Sequence, residues 1–187
     1  MKLLTTRIPG CFEIEFVARK DSRGSFVKTF HATAFRELGL DAAFTESFYS
    51  TSSSGVVRGM HFQLPPSDGA KLVYCLQGAV LDVALDLRVG SPAFGEAVKF
   101  RLSQDLPAAA YIPRGVAHGF LATEGPATLV YAISSEYDPV LDTGVLWNSF
   151  GMDWPEASPM LSDRDRSFPP FAEFKSPFRF APTEVPA

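Results

Sequence analysis

At 187 residues, 46% hydrophobic and with a formal net charge of -4, the chain can bury one substantial core and has no bulk positive charge to recruit nucleic acid. Seventeen phenylalanines and 15 prolines favour strands and loops over helices. No stretch is long and apolar enough to span a membrane, Met1–Arg7 has no apolar leader core, and Cys11 and Cys75 lack metal-ligand spacing, so a cytoplasmic protein with free thiols is expected.

Taken in order, Ile8 to Val17 reads as a strand region broken early by Pro9-Gly10. Asp21-Ser22-Arg23-Gly24-Ser25-Phe26 is a turn into a segment ending at Phe30, and Arg23 on its own reads as a solvated turn residue. Thr33 to Leu38 predicts a short helix, with Ala34, Phe35 and Leu38 as its apolar stripe and Gly39 as its stop. Phe44 to Tyr49 predicts a strand, and Ser50 to Gly55 a loop. Next come Arg58-Gly59-Met60-His61-Phe62-Gln63, a Pro65-Pro66 loop and Ala70-Lys71-Leu72-Val73. His61 and Lys71 therefore flank one break in the chain. They are either ordinary turn-flanking residues or a base and a cation at the mouth of one pocket.

From Leu72 onward the pattern is strongly β. In Leu81-Asp82-Val83-Ala84-Leu85-Asp86-Leu87-Arg88 large apolar residues alternate with Asp, Ala, Asp and Arg, which gives a strand one apolar and one polar face. An inward Asp82 needs a partner, because a lone buried carboxylate is costly; an outward Asp82 is simply solvated. Val98 to Leu102, Ala108 to Ile112 and Leu129 to Ile133 continue the strand pattern, with turns at Gly90-Ser91-Pro92 and Pro113-Arg114-Gly115. Many short strands with turns and no helices between them predict an antiparallel sandwich or barrel. A single domain is expected over 1–187, with a core at about 45–150, an N-terminal arm at 1–44 and a tail at 151–187 that holds one short helix near Ser162 to Arg166.

The segments Arg58–Gln63, Lys71–Val73, Asp82–Arg88, Gly90–Gly95, Ile112–Phe120, Tyr131, Leu146–Asn148 and Leu161–Asp165, in this order, resemble the dTDP-4-dehydrorhamnose 3,5-epimerase family over most of the chain. The resemblance implies a mainly β, cupin-type antiparallel jelly roll. It implies a homodimer whose N-terminal arm contributes to the neighbouring site, and a reaction that needs neither metal nor other cofactor. The ligand it implies is a nucleoside diphosphate 4-keto-6-deoxy sugar, with no nucleic acid or membrane as partner. Inverting a carbon beside a ketone requires a base on one face, an acid on the other and a cation at the developing oxyanion. By resemblance His61 is the base, Asp165 its carboxylate partner, Tyr131 the acid and Lys71 the enolate stabiliser. Arg58 matches a ligand of the diphosphate, for which a guanidinium fork is well suited. The implied substrate contacts continue with Gln63, Asp82 and His118, then Asp142 and Arg164, and from the N-terminal third with Arg23, Phe26, Lys28, Glu46 and Phe48.

Several positions depart from the family pattern. A glutamate expected after Arg-Gly-x-Phe is Lys28, a Gln-Asp-Asn triplet is Glu46-Ser47-Phe48, a lysine after the acid is Ala132, and an aromatic falls at Glu136. Lys28 turns an acceptor into a donor, which raises a cytidine diphosphate sugar as an alternative to a thymidine one. Epimerisation at C3 alone or C5 alone is also compatible with the same base and acid. Two other classes compete. A metal-dependent cupin would carry a close histidine pair, and no His-x-His occurs. A non-catalytic sugar-binding cupin would need no base, acid and enolate cation together.

Overall fold

Apolar residues at alternate positions build an antiparallel roll in the computed structural model, which describes residues 1–181. Its strands in chain order are β1 (Lys2–Thr5), β2 (Phe12–Glu15), β3 (Ala18–Asp21), β4 (Gly24–Val27), β5 (Glu46–Ser52), β6 (Val57–Gln63), β7 (Lys71–Asp86), β8 (Ala97–Ser103), β9 (Ala108–Ile112), β10 (Val116–Ile133) and β11 (Asp142–Gly144). Helix α1 (Ala32–Glu37) precedes β5, and α2 (Asp163–Arg166) lies in the tail. The long strands β7 and β10 pair from Val116↔Asp86 to Ile133↔Lys71 and form the spine. Along its other edge β10 pairs first with β6 and then with β5, and β7 pairs with β8 and with β9. Changing partners along one strand is what folds the nine-stranded sheet over on itself.

Three apolar clusters follow from this geometry. Inside the roll, Val80, Ala84, Phe100, Phe120, Leu129 and Tyr131 pack together. On the opposite face of the same strands, Val83, Leu85 and Leu87 lie beneath Phe62, Phe178 and the half-buried Phe171 and Phe174 of the tail. A third cluster joins α1 to β2 and β9 through Phe35, Ile14 and Tyr111. This packing decides between the two orientations of Asp82 that the β7 alternation left open. The apolar face of Leu81 to Leu87 is the outer one and is roofed by the tail, whereas Asp82 points into the roll and is fully buried. Its partner is His118, whose Nε2 lies 2.7 Å from Asp82 Oδ2. Asp86 is buried as well, bridged by Arg88 and accepting from the Ser91 hydroxyl.

Other elements shift from the sequence reading. Only Phe12–Glu15 of the Ile8–Val17 region is strand, because Ile8 to Cys11 closes a tight turn through the Cys11 N–H to Ile8 carbonyl bond. The helix is Ala32–Glu37, capped by the His31 ring, and α2 is capped by the Ser162 hydroxyl. The polar run expected as a loop from Ser50 instead continues β5 to Ser52, since its backbone finds Leu129, Thr128 and Ala127 of β10. Within residues 1–44, β1 and β2 join the main sheet through β9, while β3 and β4 form a separate two-stranded sheet.

Candidate active site

One cavity of about 260 Å³ opens between β5, β6, β7 and β10. Its construction starts with two glycines. Gly59 has φ +132, and a Cβ there would meet the Gly119 Cα at 2.5 Å, so β6 and β10 approach only because both positions lack side chains. That approach sets His61 opposite His118 across the two strands, with the register shifting just beyond. His61 Nε2 lies 2.8 Å from Asp165 Oδ1, and the Gly59 N–H donates to Asp165 Oδ2 at 3.1 Å. Asp165 reaches this position because Ser162 caps α2 and accepts from the Asp165 N–H. Burial acts to raise the Asp165 carboxyl, but the His61 hydrogen bond and charge and the Gly59 N–H outweigh it and hold it below the usual carboxylate value. The imidazole rests edge-on to Phe168 at 5.6 Å and keeps its second nitrogen for the cavity.

Lys71 begins β7 in the row shared with Ile133 of β10 and Glu46 of β5, and all three side chains line the cavity. Its ammonium donates to the His61 carbonyl at 3.1 Å. Burial pulls the Lys71 pKa down to about 8, with Asp142 and Asp82 opposing the fall. Tyr131 stands in the next row, opposite Phe48. Burial pushes its phenol above the ordinary value, so it stays protonated across the physiological range. A base with one free nitrogen, a protonated phenol and a readily deprotonated ammonium therefore face one space, which is the equipment for moving a proton to and from carbon beside a carbonyl.

The structure brings most of the expected residues to this cavity. Arg58 is aimed by its Nε bond to the Ser52 hydroxyl at 2.9 Å and a bond to the Thr51 carbonyl. Asp142 accepts from Arg164 at 2.6 Å, and Arg164 in turn covers Phe168. Gln63 lines the cavity but spends its amide on the loops: it donates to the Ser67 and Glu136 carbonyls and accepts from the Asp138 N–H. Arg23, Phe26 and Lys28 are not brought here, and Asp82 lies fully buried behind His118, off the cavity wall. Arg23 pairs with Asp21 at the tip of the β3–β4 hairpin, and Phe26 and Lys28 line a separate groove with Phe16, Phe30 and Met1.

Sequence reasoning missed Tyr137, Ser50 and Ser135, all of which line the cavity. Tyr137 is held by its N–H to Glu46 Oε2 at 2.6 Å, one place beyond the Glu136 at which the family pattern led us to expect an aromatic. The available signal was an aromatic in a polar loop, read one position off. Among the described residues no three His, Cys, Asp or Glu side chains converge as metal ligands would.

A model of the dTDP-4-dehydrorhamnose 3,5-epimerase family matches residues 5–173. The chain is 38% identical over 168 residues to the dTDP-4-dehydrorhamnose 3,5-epimerase of Shigella flexneri, covering 88% of this chain and 93% of the relative. It is 41% identical over 169 residues to a dTDP-4-dehydrorhamnose 3-epimerase of Streptomyces niveus, covering 89% and 82%. The solved structure of a dTDP-6-deoxy-D-glucose-3,5-epimerase from Legionella pneumophila, in complex with dTDP-4-keto-L-rhamnose, superposes with a TM-score of 0.92 at 32% identity, covering 97% of this chain and 99% of that one.

Proposed function

This chain belongs to the dTDP-4-dehydrorhamnose 3,5-epimerase family, and on that premise we propose that it inverts C3 and C5 of a dTDP-linked 4-keto-6-deoxyhexose in deoxysugar biosynthesis. Its roll is the cupin-type jelly roll of the family, and its activity is that of an isomerase. The observation that carries the reading of the site is the convergence of His61–Asp165, Lys71 and Tyr131 on one cavity.

The reaction follows from that convergence. The His61 nitrogen not engaged by Asp165 takes the proton from the carbon beside the ketone, and Asp165 steadies the imidazolium that forms. The electron pair moves onto the ketone oxygen, where the Lys71 ammonium balances the new charge. Tyr131 then gives its phenolic proton to the carbon from the opposite face, and solvent restores both groups. Arg58 holds the diphosphate, with Asp142 and Arg164 closing the rim.

The cytidine alternative raised by Lys28 is not favoured, since the relatives compared are named for dTDP-linked sugars. A homodimer accounts for the hairpin. The β3–β4 hairpin is a sheet of its own with Phe26 61% exposed, which supports the reading that Arg23, Phe26 and Lys28 serve the cavity of a second copy. Sedimentation at micromolar concentration reads that assembly. The activity is tested by incubation with dTDP-4-keto-6-deoxy-D-glucose in deuterated water. Deuterium at C3 and C5 with inversion is expected, deuterium at one carbon narrows the reaction to that carbon, and binding without exchange indicates a non-catalytic sugar-binding protein.

A further inference from the structure

The side chain assigned as acid is flanked by a ring that β5 contributes. β5 sends Glu46, Phe48 and Ser50 to the cavity side, and its register puts Phe48 directly opposite Tyr131. The two rings stack with centroids 4.7 Å apart and planes 18° from parallel. His118 meets Tyr131 edge-on, at 5.8 Å and 71°. Ser50, the next inward residue of β5, has a buried hydroxyl with no hydrogen-bond partner among the described residues.

The backbone of β10 is fixed by pairing on both edges, so the torsions of the Tyr131 side chain decide where its phenol oxygen lies. An offset-stacked neighbour restricts rotation of the ring, and an edge-on neighbour limits its sideways travel. Proton transfer to carbon tolerates little error: a misplacement of about 1 Å costs on the order of 10²-fold. Phe48 is also 43% exposed, so its outer portion remains open to the cavity while one face is committed to Tyr131.

We propose that Phe48 is a positioning residue for the second half of the reaction, holding the Tyr131 phenol so that the enolate is reprotonated with inversion instead of being returned by His61. The inference rests on the assignment of Tyr131 as acid. After deprotonation the enolate has two fates. His61 returns a proton, by then exchanged with solvent, to the face it came from, restoring the C–H bond with retention. Alternatively Tyr131 gives its O–H proton to the other face, and the tyrosinate takes a proton from solvent while His61 releases its own. Phe48 acts only on the second branch.

The experiment measures both branches in deuterated water by following deuterium incorporation with retained configuration against formation of inverted product. Phe48→Ala is expected to raise the ratio of retention to inversion about 10-fold or more, towards the value for Tyr131→Phe, while Phe48→Tyr restores it. Should Phe48→Ala fail to fold, Phe48→Leu removes the planar ring and keeps most of the bulk. An unchanged ratio, with or without a rise in KM, overturns the proposal and leaves Phe48 as at most a substrate contact. Wild-type protein that exchanges no proton overturns the epimerase reading itself, a result distinct from an unchanged ratio.

Discussion

Two histidine–aspartate pairs stand side by side in this roll, nearly equal in length and unlike in exposure. His61–Asp165 spans 2.8 Å with side-chain exposures of 28% and 5%, and His118–Asp82 spans 2.7 Å with exposures of 5% and 0%. Asp165 has both oxygens occupied, by His61 and by the Gly59 N–H, whereas Asp82 Oδ1 is buried without a partner among the described residues. A short contact therefore does not assign a role; access does. The first pair opens to the cavity and can exchange a proton with a substrate. The second is more deeply set: His118 shows only an edge to the same cavity and Asp82 lies fully buried behind it, where its charge is felt through space by both Lys71 and Tyr131. In the interior such a charge is screened much less than at the surface.

Removing each histidine breaks the comparison most sharply. His61→Ala is expected to lower proton exchange by about 10²- to 10⁴-fold, the usual worth of a positioned base, with the urea midpoint little changed. His118→Ala leaves Asp82 buried without its partner and should cost about 3–5 kcal/mol of stability, read from urea unfolding. Equal losses of stability in the two variants would erase the distinction. Next in size is Lys71→Ala, expected to reduce kcat about 10²- to 10³-fold as an oxyanion donor does.

The smallest effect concerns pH and bears directly on the more deeply buried pair. Lys71 has a pKa depressed to about 8 by burial and held from falling further by Asp142 and Asp82. Its ammonium is present below that value and is lost as pH rises through it. The kcat/KM profile should therefore decline on the alkaline side near pH 8, because that ratio reports the free enzyme. Asp82→Asn removes a charge that favours the ammonium, so the decline should move to lower pH; Asp165→Asn should leave it in place. Lys71→Arg, always charged, should abolish it. A decline that ignores both Asp82 and Lys71 assigns it to another group.

Much of this was legible in residues whose local signals agree with the fold. Alternation placed the strands from Leu81 to Ile133, and the Pro65-Pro66 break put His61 and Lys71 on successive strands, which the fold sets on either side of β10. Ser162 at the head of a short polar turn announced α2, which carries Asp165 to His61. What escaped depends on long-range pairing. Ser50 to Ser52 is polar enough to read as loop, and only β10 makes it strand. Asp82 could point either way until the tail was seen to roof the opposite face. The Phe48–Tyr131 stack joins residues more than eighty positions apart, and no periodicity in either segment reveals it.

The tail's double duty has a consequence for inactivation. Its phenylalanines roof the outer face of β7, and its short helix supplies Asp165 to His61, while the eleven strands of the described residues end by Gly144. The roll can thus keep its strand pairing while the tail lifts away, a local opening of lower cost than global unfolding. In a urea titration, turnover should fade before the β-sheet circular dichroism does. The enzyme would then fall silent while still folded, and recover on dilution as fast as the tail can settle again.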